Sequence, residues 1–64
     1  MNTPAVQELF QLSMKEKRGI TFFLPGQAIA GVVTKVDAEA VEARSQTHSR
    51  IIIRLDQILA VAIA

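Results

Sequence analysis

Hydrophobic and polar residues change their spacing along this chain at Gly19. Before it, Val6, Leu9, Phe10, Ser13 and Met14 recur at three- and four-residue intervals, the spacing that lines side chains along one face of a helix. Thr3-Pro4 opens this segment: a hydroxyl residue can cap free N–H groups, and proline suits the first helical position. Gly19 is the expected stop, because glycine takes the left-handed conformation that closes a last turn. Lys15, Lys17 and Arg18 precede it, where cations favour the negative end of the helix dipole. The pattern predicts a helix over about residues 4–18.

After Gly19 the period shortens to that of strands. Ile20 to Leu24 is β-branched and aromatic, and Pro25-Gly26 marks a tight turn. Ala28 to Val36 predicts a second, longer strand, with Gly31 in its middle marking a sharp bend, a bulge or a close backbone approach. Asp37-Ala38-Glu39 makes a turn before a third strand at Ala40 to Arg44. A polar loop, Ser45 to Ser49, leads to a fourth strand at Arg50 to Arg54. Leu55-Asp56-Gln57 breaks that strand before a fifth at Ile58 to Ile63. Adjacent Phe22 and Phe23 must point to opposite sides of their strand; Phe22 is assigned to the core and Phe23 to the surface or an interface. The prediction is one helix and five short strands over about residues 20–63, in one domain spanning 1–64.

A chain of 64 residues buries only roughly 60% of the surface its unfolded form exposes. Chains this small lean on disulfides, a metal or oligomerisation. There is no cysteine, and His48 is the only histidine, so neither a disulfide nor a structural metal is expected. Half the residues are hydrophobic, including Ile51-Ile52-Ile53 and the run Ile58 to Ile63. That much apolar sequence around so small an interior implies surface shared between subunits. Curling the sheet into a small barrel with the helix over one end buries one face. The terminal strands can then pair with neighbouring copies and, head to tail, close a ring.

Net charge is only +1, so any polyanion site must come from local placement of cations. The first residues lack the basic and apolar regions of a signal peptide, and no apolar run reaches the ~20 residues of a membrane helix. No membrane association and a cytoplasmic location are expected. Ser13, Ser45, Ser49 and His48 are the only pieces of a nucleophile–base pair, three of them in one loop. No paired carboxylates flank a cleft and no glycine-rich loop opens a helix. An enzyme is not expected, and no cofactor is implied.

The strand region resembles the Sm-like superfamily. Its first motif, hydrophobic residues followed by spaced glycines and an aspartate, is matched by Phe22-Phe23-Leu24, Gly26, Gly31, Asp37 and Ala40-Val41. The second is similar to Ile53-Arg54-Leu55-Asp56-Gln57-Ile58. Gln7-Glu8-Leu9-Phe10 and the helix exit Lys15-Glu16-Lys17-Arg18 resemble the corresponding parts of bacterial Hfq, so the similarity covers about residues 5 to 63. It implies a strongly bent, five-stranded Sm-like barrel with an N-terminal helix. The implied assembly is a homo-oligomeric ring, six-membered by similarity to Hfq, with five or seven following from a few degrees of change at each contact.

The implied function is that of an RNA chaperone in post-transcriptional regulation, holding single-stranded RNA on three surfaces. On the helix side, around the pore, the matching positions are Gln7, Glu39 and Arg54. On the opposite face they are Phe23, Gly26 and Ile29; at the rim, Lys15, Lys17 and Arg18. Plainer structural roles stand beside these: Arg54 paired to Asp56 or to Glu39 of a neighbour, and the basic helix exit as a solvated terminus. Several departures weigh against ordinary uridine-rich recognition. Leu55 stands where Hfq has the histidine of a Lys-His pair, Arg54 replaces its lysine, and Glu39 replaces a pore-side aromatic residue. The alternative expectation is therefore a structural or protein-docking ring with little RNA affinity.

Overall fold

The computed structural model describes residues 3–64. Helix α1 covers Pro4–Glu16, followed by strands β1 (Ile20–Leu24), β2 (Gln27–Val36), β3 (Ala40–Arg44), β4 (Ile51–Arg54) and β5 (Ala60–Ile63), with a short 3-10 turn at Leu55–Gln57. The strands form one antiparallel sheet in the order β4-β3-β2-β1-β5. The architecture is one helix on a mainly β framework, as expected, and the strands match their predicted positions to within two residues.

The helix starts as its sequence dictates: Thr3 Oγ1 accepts the Val6 N–H at 3.4 Å and Pro4 opens the first turn. It ends earlier than expected. Lys17, not Gly19, takes the left-handed conformation, at φ 55° and ψ 41°. The cause lies outside the helix. Ser13 is fully buried; its hydroxyl donates to the Arg18 carbonyl at 2.7 Å and accepts the Val33 N–H at 3.0 Å. Holding Arg18 there turns the chain at Lys17.

Ser13 fills a gap in the sheet. β1 and β2 run in register from Leu24↔Gln27 to Ile20↔Gly31. Two residues further, that register would set Arg18 against Val33. The Ser13 hydroxyl bridges this pair, carrying the ladder past the end of β1. At the same place β2 changes partner. From Val32 it pairs with β3, as Val32↔Arg44 and Val33↔Ala43, and the register shifts between Val33 and Lys35. Gly31 sits at the change of partner. A Cβ built on it would lie 2.7 Å from the Arg44 carbonyl oxygen, so only glycine fits the approach anticipated from its position in the strand.

The core lies between the inner face of this bent sheet and the helix. It gathers Val6, Phe10, Ile20, Phe22, Val33, Val41, Ala43, Ile53, Leu55 and Ile58. Phe10 and Phe22 meet with ring centroids 5.9 Å apart, tilted at 44°. Such a pair adds about 0.5–1.5 kcal/mol beyond the burial of its area. Phe22 is fully buried while Phe23 is 42% exposed, the division expected from strand alternation.

The link between β4 and β5 shows how strongly the sheet bends. These strands are the two edges, which a flat sheet would hold about 19 Å apart at ~4.8 Å per strand. Residues 55–59 join them, and three of those form the 3-10 turn. With about 2 Å of rise per residue in that turn, the link reaches roughly 16 Å along a straight line. The edges must therefore approach one another by curvature. Even so, β4 and β5 do not pair, and the sheet remains open.

Replacing Ser13 with alanine strands the Val33 N–H and the Arg18 carbonyl. A loss of about 1–3 kcal/mol in unfolding free energy is expected, measured by urea denaturation. Gly31→Ala forces the β2 and β3 backbones apart and is expected to cost a similar ~1–3 kcal/mol. Wild-type stability in either variant would remove the corresponding constraint.

Candidate nucleic-acid interface

The polar residues singled out by sequence fall into three places. Glu39 and Arg54 do come together: the Leu55 N–H donates to the Glu39 carbonyl at 2.9 Å, and Ala40 pairs with Arg54 across β3 and β4. Arg54 is engaged within its own chain, donating from Nη2 to Asp56 Oδ2 at 2.7 Å. Both partners are well exposed, at 73% and 59% of their side-chain surface. Such a surface pair contributes only ~0–1 kcal/mol, too little to hold Arg54 from a competing phosphate. Gln7 lies on the helix with Glu8, Gln11 and Lys15 around a shallow groove.

The group on the opposite face divides. Phe23 pairs with Ala28, and Ile29 pairs with Phe22. Ile29 therefore points to the inner side of the sheet, where it packs against the core, and Phe23 points outward. The turn at Pro25-Gly26, with Gly26 at φ 75°, sets Leu24 opposite Gln27, and the alternation follows. Gly26 is exposed at the tip of that turn.

At the helix exit Lys15 and Lys17 are exposed and make no ion pair among the described residues. Arg18 differs. It contacts Glu16 at 3.5 Å and also donates to the Ala64 carbonyl. A further cation, Arg44, was not anticipated. It is exposed, unpaired among the described residues, and borders a groove with Gly19, Gly31, Ser45, Gln46 and Thr47. Gly19 follows the helix exit directly, so the groove adjoins the Lys17–Arg18 segment. No motif marks Arg44; its position emerges only once β2 is seen to switch from β1 to β3.

The loop after β3 is self-organised. Ser45 Oγ accepts the N–H groups of Thr47 and His48 at 3.3 and 3.2 Å, and Thr47 Oγ1 lies 2.9 Å from His48 Nδ1. His48 is exposed in it. Two carboxylates nearby have fixed partners. Glu42 accepts from Arg50 Nε at 2.7 Å and from the Thr34 hydroxyl at 2.9 Å; these bonds, Arg50 first, hold its carboxyl below its ordinary 4.5. Asp37 Oδ1 accepts the N–H groups of Glu39 and Ala40 at 2.9 and 2.8 Å, which hold it below 3.8.

Because both folded-state values are lowered, each carboxylate's contribution to stability is complete above the unfolded-state value and lost as pH falls through the folded one. Carboxyl-carbon NMR titration should give midpoints below 3.8 for Asp37 and below 4.5 for Glu42. Arg50→Ala should raise the Glu42 midpoint and leave Asp37 unmoved. A Glu42 midpoint indifferent to Arg50 would show that the pair does not form.

No protein-family model matches this chain, and no curated protein matches it significantly.

Proposed function

We propose that this chain is the subunit of an Sm-like, Hfq-related homo-oligomeric ring that binds single-stranded RNA along its helix side and rim. The observation that carries the reading is the strand order β4-β3-β2-β1-β5, with both edges unpaired on a sheet bent at Gly31. Pairing β4 of one copy with β5 of the next satisfies both edges and turns every copy through the same angle. Repetition closes a barrel-walled ring, six-membered in this reading. The exposed Ile52 of β4 gives that seam apolar surface to cover.

Within the ring, Lys15 and Lys17 meet the RNA backbone at the rim, joined by Arg44. Arg54 exchanges its exposed carboxylate partner for phosphate near the pore, beside Gln7. Each subunit holds its nucleotides weakly, and repetition around the ring converts weak contacts into avidity. A second reading, a ring that docks protein, draws support from the pairing of Arg18 and Arg54 with Glu16 and Asp56 and from the uncompensated Glu39 beside Arg54. The RNA reading takes precedence because four exposed cations, Lys15, Lys17, Lys35 and Arg44, remain without an ion pair among the described residues.

Filter binding of A-rich and U-rich oligoribonucleotides at two salt concentrations tests it, since phosphate contacts impose a salt slope. Micromolar, salt-dependent binding is expected, and its absence would leave the protein-docking ring. Lys17→Gly sharpens the test. It removes one cation at a left-handed position that glycine favours, so thermal stability should be unchanged or higher while RNA affinity and the salt slope both fall. Full affinity in a stably folded Lys17→Gly protein would remove the rim from the site.

A further inference from the structure

The outer face of β1, of β5 and of β2 up to Gly31 carries no charged side chain. Strand register sets it out as two rows, Ala28–Phe23–Ala60 and Ala30–Thr21–Ala62. All but Thr21 are exposed. The outer side of β3 and β4 contrasts with it, carrying Glu42, Arg44 and Arg54 among its positions. The first row projects a single large side chain, Phe23. The second lies over a hollow lined by Thr21, Ala30 and Ala62 together with Gly19. One face thus holds a knob and, one row along, a depression walled by small side chains.

Such a face is complementary to itself. A two-fold axis through its centre would set Phe23 of each copy into the Thr21–Ala30–Ala62 hollow of the other, and a two-fold contact places every group near its own kind. Charged faces oppose that arrangement with like-charge repulsion, whereas neither row carries a charged side chain; Arg44 borders the groove on the far side of Ala30. Phe23 also points away from the helix: its neighbour Phe22 meets Phe10 of α1 on the inner side.

Area decides the form of the contact. Three strands at ~4.8 Å and four to five residues at ~3.4 Å give a patch of about 200–240 Å² per chain. Two chains would bury less than about 500 Å² in all, far short of the ~1,200 Å² of a stable interface. A six-membered ring presents the patch six times on the side away from its helices, and two such rings would bury roughly 2,400–2,900 Å². We infer that the occupant of this face is a second copy of the ring, stacked face to face through Phe23. The inference rests on the ring proposed above.

Native mass spectrometry of the full chain, with sedimentation in parallel, tests it. The expected mass is that of a double ring, with no chain dimer on dilution. Phe23→Lys, which opposes like charges across the stack and leaves Phe22 in the core, should halve the mass to a single ring. Ala28→Lys, in the same exposed row, should do the same and guards against a folding defect at position 23. Single rings in the wild-type protein would overturn the stack while leaving the ring intact. Wild-type monomers would overturn both, so the two failures are distinguishable. Single rings that bind oligoadenylate, and lose it in Phe23→Ala, would assign the face to nucleic acid and overturn the stack.

Discussion

One hydroxyl group sits where the sheet, the helix and the bend meet. β1 stops at Ile20, and β2 continues beyond it toward β3, so the Val33 N–H faces a position where β1 has no strand left. Ser13 Oγ accepts that N–H and donates its own hydrogen bond to the Arg18 carbonyl. An unsatisfied buried amide costs about 1–3 kcal/mol, a large fraction of the stability a domain this small can hold. Because Ser13 lies on α1, the same bond fixes the rotation of the helix. Val6 and Phe10 then face Phe22 and the inner sheet.

The change of partner in β2 has a second requirement, which Gly31 meets. Two sheet segments can share one strand only if their flanking strands approach the backbone closely where they trade places. The 2.7 Å between a Cβ at position 31 and the Arg44 oxygen measures how close that approach is. Curvature follows, and with it the short connection through Leu55–Gln57 to the far edge. Leu55 and Ile58, at either end of this link, are both buried, so the crossing contributes to the core it spans. The Leu55 N–H is tied to Glu39, anchoring the link to the turn before β3.

Much of this was legible in the sequence because it depends on local chemistry. The helix start follows from Thr3-Pro4, the inward side of β1 from the two-residue period that separates Phe22 from Phe23, and the β1–β2 turn from Pro25-Gly26. The helix stop was not legible. Gly19 is the better residue for a left-handed cap, yet Lys17 adopts that conformation because a buried serine holds the next carbonyl. The side of Ile29 was legible in principle, since a two-residue turn pairs position 29 with position 22. Arg44 could not be found, because no spacing in the chain brings it beside the helix exit. That proximity arises from the partner switch, which is a property of the folded sheet.

The switch also sorts the outer surface. Strand alternation forces inward and outward positions to have opposite character within each strand, but it does not dictate what the outward positions carry. On β1, on β5 and on β2 before Gly31 they carry alanine, threonine and phenylalanine. Beyond Gly31, on β3 and β4, they include Glu42, Arg44, Ile52 and Arg54. A sheet exposing alanines to water gains little from them as strand formers, since alanine is among the residues depleted in strands. Their value lies in shape: small side chains let another surface approach the backbone. Polyanion contacts, by contrast, need cations free to move toward phosphate, and Lys15, Lys17 and Arg44 lie off that apolar face. Bending one strand at Gly31 therefore does more than close a core around Phe10 and Phe22. It separates a surface suited to close packing from one suited to ionic contact, so that the two need not compete for the same side chains.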